Sequence, residues 1–313
     1  MPMPARPAKK QGAIMVEPEL TAEQQKKRDN IRKALREVKN LPTLPGIVSK
    51  LTRMADDPDT STDQMGKLIS KDHILAAKLL KLVNSAFYGF PQRISSLNSA
   101  IILLGFNVIK SLIISASIFE LMEEQDVELW EHSLGCAVIC NVVAKRLEIN
   151  DPEEVSTAGL IHDLGKVAIK MELPRESAEV AALVESAEIN RFEAEQRVLG
   201  LEHAEVGGWL AKSWNLPAKL VEPIRCHHDP ASADNEPLVS AIVHFADIMI
   251  RGLGYGHGRD IWVPPLQPRA WELLRFKAAD IDEILDEVEE KLWDVKGFSL
   301  DIKAEAATTA TKG

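Results

Sequence analysis

Residues 159–166 read Gly159-Leu160-Ile161-His162-Asp163-Leu164-Gly165-Lys166. A histidine and an aspartate stand side by side within an apolar helical run. That run opens at Asp151-Pro152, an N-cap followed by proline at the first helical position, and extends to about Met171. An adjacent imidazole and carboxylate can give two ligands to one metal ion, with the carboxylate free to bridge to a second. The pair alone says little, and its companions give it weight. Six of the eight histidines lie between His132 and His244. His132 precedes the pair, and His203, His227-His228 and Asp247 follow it. Each falls on a separate expected helix among apolar neighbours, so each can point inward. Burying such a cluster without a cation would leave several polar groups unpaired. Nitrogen and carboxylate donors together suit iron, manganese, nickel or zinc.

Outward from this cluster the spacing of apolar residues stays helical. Ser61 with Gln64 three residues on forms a capping-box pattern ahead of Met65, Leu68 and Ile69. Short apolar helices are expected over Ile74–Val83 and Leu97–Leu104, the latter stopped at Gly105. Val108, Ile109, Leu112, Ile113, Ser115 and Ala116 are apolar or small on most sides, as in a central buried helix. Further helices fit Ser177–Ala187, His203–Trp214, Pro217–His228, Leu238–Arg251, Arg269–Phe276 and Asp280–Trp293, with a Gly- and Pro-rich loop over Gly252–Pro268. The fold class is all-α, built as two packed helical lobes. The expected divisions are a tail over 1–28, an N-terminal lobe over 29–125, a metal-binding lobe over 126–255, a loop and helices over 256–302, and a second tail over 303–313.

Composition narrows the function classes. The 313 residues are 45% hydrophobic, enough for a sizeable core. A formal net charge of −10 disfavours nucleic acid or an anionic membrane as the main partner. The longest apolar stretch, Ala100 to Met122, is interrupted by Gly105, Asn107, Lys110 and Glu120, which argues against a membrane span. Three cysteines make no secretory disulfide framework, and the first residues lack a signal peptide's apolar run, so a reduced, cytoplasmic protein is expected. Cys136 and Cys140 repeat at helical spacing and are read as small packing residues, Cys226 likewise as inert. His73 is read as a helix-start residue, His244 as an outer partner of the site or a core residue, and His257 as solvated.

The order His132, His162-Asp163, His203, His227-His228, Asp247 resembles the HD superfamily of metal-dependent phosphohydrolases, and with the double histidine it looks like the HD-GYP phosphodiesterases of cyclic dinucleotides. Glu128, one helical turn before His132, matches a glutamate found in that group, and Lys166 matches the lysine of its His-Asp-x-Gly-Lys motif. After His227-His228, however, comes Asp229-Pro230-Ala231 rather than Asp-Gly-x-Gly-Tyr-Pro. The first half, with Leu41-Pro42-Thr43-Leu44-Pro45, Lys81 to Tyr88, Ile94-Ser95-Ser96-Leu97 and Ala100 to Gly105, is similar to the HDOD domain, an all-helical module of bacterial signalling related to the HD enzymes. The resemblance covers roughly Lys39 to Asp247. The interval from Asp163 to His203 is longer than in HD-GYP sites and reads as an insertion.

The resemblance implies an HD-type helical bundle holding two or more divalent transition-metal ions, iron or manganese foremost. Asp163 would bridge. His132, His162 and Asp247 would complete one site, and His203, His227 and His228 the other, with Glu128 available to a third ion. As catalytic groups, Asp163 and Lys166 would act on a phosphate ester, Lys166 steadying the phosphoryl oxygens. Two functions are compatible with this set. One is a regulatory module working through a bound ligand or a signalling protein partner, and the other is a phosphohydrolase acting on a phosphate-containing small molecule. No receiver, GGDEF-type or DNA-binding domain fits in the remaining residues, so a regulator of this kind is expected to act through a separate partner.

Overall fold

The computed structural model of the chain describes residues 46–55, 59–85, 88–121, 127–256 and 262–292, with isolated positions outside them. Both expected tails, the expected lobe boundary at residues 125/126, the Leu41–Pro45 motif and His257 lie outside the described residues. Every regular element among the described residues is a helix. The N-terminal group is α1 (Gly46–Ala55), α2 (Thr62–Ile69), α3 (His73–Val83) and α4 (Leu97–Leu121). The rest is α5 (Val127–Arg146), α6 (Pro152–Ile161), α7 (Leu164–Glu172), α8 (Pro174–Ala187), α9 (Arg191–Leu199), α10 (His203–Ser213), α11 (Ala218–Cys226), α12 (Pro237–Gly252), α13 (Pro268–Leu274) and a last helix, α14, over residues 278–292.

The α2 start carries the expected capping box. The Ser61 hydroxyl accepts from the Gln64 N–H at 3.2 Å and the Gln64 carbonyl oxygen from the Ser61 N–H at 2.8 Å. Gly105 does interrupt its helix, with φ 76° and ψ 166°, but the chain re-enters the helical conformation at once, and α4 continues to Leu121. Its second half is buried as expected, with Val108, Ile109, Leu112 and Ile113 sealed in the core. Residues Leu97–Ser117 are long and apolar enough to cross a membrane by composition, contrary to the expected interruption. Two-thirds of the apolar stretch is buried against other helices, so the protein core accounts for its apolar character.

The second half wraps around α5 and α6. These two pack along their length, α12 lies against α5, and α10 packs on both α7 and α11. Gly165 sets the last of these approaches. A Cβ there would collide with the His203 carbonyl and lie 2.8 Å from the Gly207 nitrogen, so the start of α7 rests directly on the backbone of α10. The two halves share one core. Three polar links cross between them among the described residues, one of them from the Lys145 ammonium to the Tyr88 carbonyl at 3.5 Å. The buried Tyr88 hydroxyl lies 3.0 Å from Thr157 Oγ1, whose own hydroxyl donates to the Glu153 carbonyl at 2.7 Å. On α4, Lys110 is 1% exposed, and its ammonium donates to the Asn215 carbonyl at 2.8 Å. At the other end, Arg146 of α5 pairs with Asp280 and Glu283 at 2.8 and 2.6 Å, so part of the acidic face of α14 docks instead of being wholly solvated.

Replacing Tyr88→Phe keeps the ring and removes only the hydrogen bond to Thr157. The expected loss is about 1 kcal/mol, a fall of about 2 °C in the thermal midpoint by calorimetry. An unchanged midpoint would show that this link contributes nothing to the docking of the two halves.

Candidate metal centre

The expected single helix from Asp151 to Met171 is in fact two. It breaks at His162-Asp163, between α6 and α7, with no glycine or proline to mark the break. Consecutive residues on an unbroken helix do not face each other, and the break lets both side chains turn to one point. His162 is the C-cap of α6 and donates from Nδ1 to the Gly159 carbonyl, three residues back, at 2.8 Å. His227 repeats the device as the C-cap of α11, bonding the Ile224 carbonyl at 2.8 Å. Both use a last-turn carbonyl that has no helical partner.

Two further histidines are oriented by carboxylates. His203 Nδ1 bonds Glu195 Oε2 at 2.6 Å, and the same oxygen accepts the His203 backbone N–H at 2.8 Å. His228 Nδ1 lies 3.0 Å from Glu202 Oε2. With Nδ1–H engaged in all four rings, each presents its Nε2 to the site, the arrangement found behind metal-ligating imidazoles. His203 Nε2 stands 3.3 Å from His227 Nε2 and 3.1 Å from Asp163 Oδ1. His162 Nε2 is 3.4 Å from Asp163 Oδ1, and both of these buried atoms lack a hydrogen-bond partner. Asp163 does not cap α7 with its side chain. Its Oδ2 takes the Lys166 ammonium at 2.6 Å, leaving Oδ1 for the centre.

At the other end, Asp247 Oδ1 is 3.0 Å from His132 Nε2, 3.7 Å from His162 Nε2 and 2.8 Å from Arg251 Nε. Ligand atoms fall into three converging groups, each within 4.8 Å: His132, Cys136, His162 and Asp247; His162, Asp163 and His227; His203, His227 and His228. Shared members join them into one chain of candidate positions. A buried set of imidazole and carboxylate acceptors with two orphaned atoms fits divalent transition-metal ions.

The electrostatics agree. Burial would raise the Asp163 carboxyl, but His162, Lys166 and His203 around it hold it well below the usual carboxylate range. Burial likewise opposes ionisation of Asp247 and is outweighed by Arg251, the bond from His132 and the nearby His162 ring. Burial lowers His132 to about 4 despite Asp247, so it is a neutral donor. Burial and the surrounding imidazoles push His227 well down. Burial would lower His203 too, but Glu195 and the neighbouring Asp163 carboxylate raise it to about 8, while Glu195, opposed by burial, falls to about 2.

The structure therefore brings together His132, His162, Asp163, His203, His227, His228 and Asp247. It does not bring in Glu128, which lies in the first turn of α5 with its side chain exposed and belongs to none of the converging groups among the described residues. Lys166 is buried and bonded to Asp163, where the sequence assigned it to phosphoryl oxygens. His244 is an outer partner, with its Nδ1 on the His227 carbonyl at 2.6 Å and its Nε2 accepting the Gln267 N–H at 3.0 Å. Glu195, Glu202 and Arg251 escaped the sequence reading, which placed Cys136 among the packing residues. Glu195 comes from the interval read as an insertion, which supplies α8 and α9. The capping pair Asn190 and Glu193 and the left-handed Gly200 mark the ends of α9 and could have located it.

Comparison with known proteins follows this geometry. The HDOD domain family matches residues 41–230, more than half of the chain. The chain belongs to the HDOD family. This HDOD protein is similar in structure to an HDOD domain protein of unknown function from Geobacter sulfurreducens, at 28% identity, TM-score 0.66, and coverage of 88% of this chain and 97% of the other. It also resembles a Shewanella amazonensis SB2B protein provisionally named a phosphohydrolase, at 25% identity, TM-score 0.57, with 83% and 97% covered. An uncharacterised protein of Treponema pallidum is 29% identical over 69% of this chain and 43% of its own length. Ribonuclease Y of Pelobacter propionicus is 28% identical over 39% of this chain and 18% of its own length. The HDOD protein thus spans less than half the length of the curated relatives it matches.

Replacing Glu195→Ala removes the group that orients His203. Metal affinity is expected to fall about 10–100-fold with the helical circular dichroism retained. Equal affinity in titrations of the two proteins would mean that His203 needs no such support.

Proposed function

We propose that this HDOD protein is a signalling module whose HD-type centre holds two divalent transition-metal ions, iron or manganese foremost and nickel or zinc as alternatives. It acts in regulation through a bound ligand or a protein partner. The carrying observation is the convergence of the Nε2 atoms of His162, His203 and His227 on Asp163 Oδ1, with every Nδ1–H already engaged behind them. In this reading His132, His162 and Asp247 hold one ion, His203, His227 and His228 the other, and Asp163 serves both. The regulatory role is favoured by burial. His132, His162, Asp163, His203, His227 and Asp247 are each at most 3% exposed, which suits a centre that organises the fold or reports its state.

A second reading is a metal-dependent phosphohydrolase. It is favoured by the full donor set and by the structural likeness to a protein provisionally named for that activity. Bound divalent ions would lower the pKa of a coordinated water and neutralise phosphate charge. In that reading Asp163 and Lys166 carry the chemistry together. The Lys166 ammonium, held on Asp163 Oδ2, keeps that carboxylate ionised and places a positive charge beside any anion entering the centre. The shared stretch with a ribonuclease adds RNA to the phosphodiesters worth offering.

Elemental analysis of the purified protein beside a His162→Ala/Asp163→Ala variant tests both. Two or more equivalents are expected in the parent and a loss of most of them in the variant. The loaded parent is then offered bis(p-nitrophenyl) phosphate, cyclic dinucleotides and an RNA oligonucleotide. Turnover no higher than the variant's supports the regulatory module, and turnover that the variant lacks supports the phosphohydrolase. A parent that takes up no metal after reconstitution would overturn both.

A further inference from the structure

Cys136 is a core residue that also borders the centre. It lies four residues after His132, on the same face of α5, and is fully buried with its Sγ 3.6 Å from His132 Nε2. It is also one of the four residues whose ligand atoms converge with those of His132, His162 and Asp247 to within 4.8 Å. The His162 Nε2 aimed into the same space is buried and unpartnered. The other cysteines differ. Cys140, one turn further along α5, packs where α6 comes closest, and a Cβ on Gly159 would lie 2.7 Å from its sulfur. Cys226 belongs to none of the converging groups among the described residues.

Gly159 ties the arrangement together. Its missing side chain lets α6 approach the Cys136 backbone, where a Cβ would lie 3.1 Å from the Cys136 carbonyl oxygen, and its own carbonyl holds His162 Nδ1–H. The sulfur and the orphaned imidazole nitrogen are thus set against each other by one close helix contact.

We propose, resting on the metal-centre reading above, that Cys136 is a ligand of the ion held by His132, His162 and Asp247. On binding, the S–H bond breaks, its electron pair forms the sulfur–metal bond and the proton passes to solvent. A thiolate is a soft donor, so this end of the centre selects zinc, iron or cobalt over manganese, which prefers oxygen. The two ends of the centre then differ in kind, one containing sulfur and the other built on imidazoles and Asp163.

The test is cobalt(II) reconstitution of the full chain, read by absorption. The parent is expected to show a sulfur-to-cobalt charge-transfer band in the near ultraviolet. Cys136→Ser and Cys136→Ala lose the band, while Cys140→Ser keeps it. In competition titrations the preference for zinc over manganese falls on the order of 10-fold or more in Cys136→Ser. Cobalt bound by the parent without the band, or a band that survives in Cys136→Ser, would overturn the inference while leaving the metal centre standing. No cobalt uptake by the parent would overturn the centre and the inference together. If the Cys136 variants do not fold, a parent band kept in both Cys140→Ser and Cys226→Ser assigns the sulfur to Cys136, and a band lost in either of them overturns the inference.

Discussion

A buried space lined by imidazole and carboxylate groups is the condition around which this molecule is arranged. His162, His203 and His227 each spend their Nδ1 proton on a fixed acceptor, and what remains is nitrogen lone pairs facing a carboxylate oxygen. Leaving such atoms unpaired in a protein interior costs about 1–3 kcal/mol apiece, and several together are not offset by packing nearby. Positive charge has to be present among them, either as protons on the imidazoles or as a metal ion. The raised His203 is the protonic version of that answer, with Glu195 and Asp163 outweighing the effect of burial.

The helices serve this condition through their ends more than through their faces. α6 and α11 terminate at His162 and His227, each using a leftover carbonyl of its last turn to fix a ring. α10 begins at His203, whose backbone N–H is satisfied by Glu195, a residue of α9, in place of a side chain at its own N-cap. A carboxylate at that position also meets the positive end of the α10 dipole. One glutamate therefore caps the start of α10 and orients the His203 ring, and Gly165 brings the start of α7 onto the same turn.

The sequence showed the all-helical fold and singled out the seven histidine and aspartate positions that the fold gathers, because such residues in apolar helical surroundings have few other uses and their order matched a known pattern. It could not show what depends on distance through space. Glu195, Glu202 and Arg251 look like ordinary surface charges until the fold places them against His203, His228 and Asp247. Cys136 looks like any small core residue at helical spacing. The break at His162-Asp163 carries no local marker, since the contacts made after the turn hold it there and the two residues themselves do not require it. Glu128 shows the converse case. Its spacing from His132 was right, and its place in the exposed first turn of α5 left it outside.

The domain boundary and the chemical boundary of this chain do not coincide. The HDOD match stops at residue 230, ahead of α12 and therefore ahead of Asp247, Arg251 and the His244 that braces the His227 carbonyl. A fragment trimmed to the family's limits would retain every histidine of the cluster and lose the carboxylate that faces His132. The stretch between Asp163 and His203 is equally indispensable, since it delivers the Glu195 that orients His203. For anyone dissecting the protein, every residue of the cluster and its supports falls between α5 and α12, while the core that buries them also draws on the N-terminal helices.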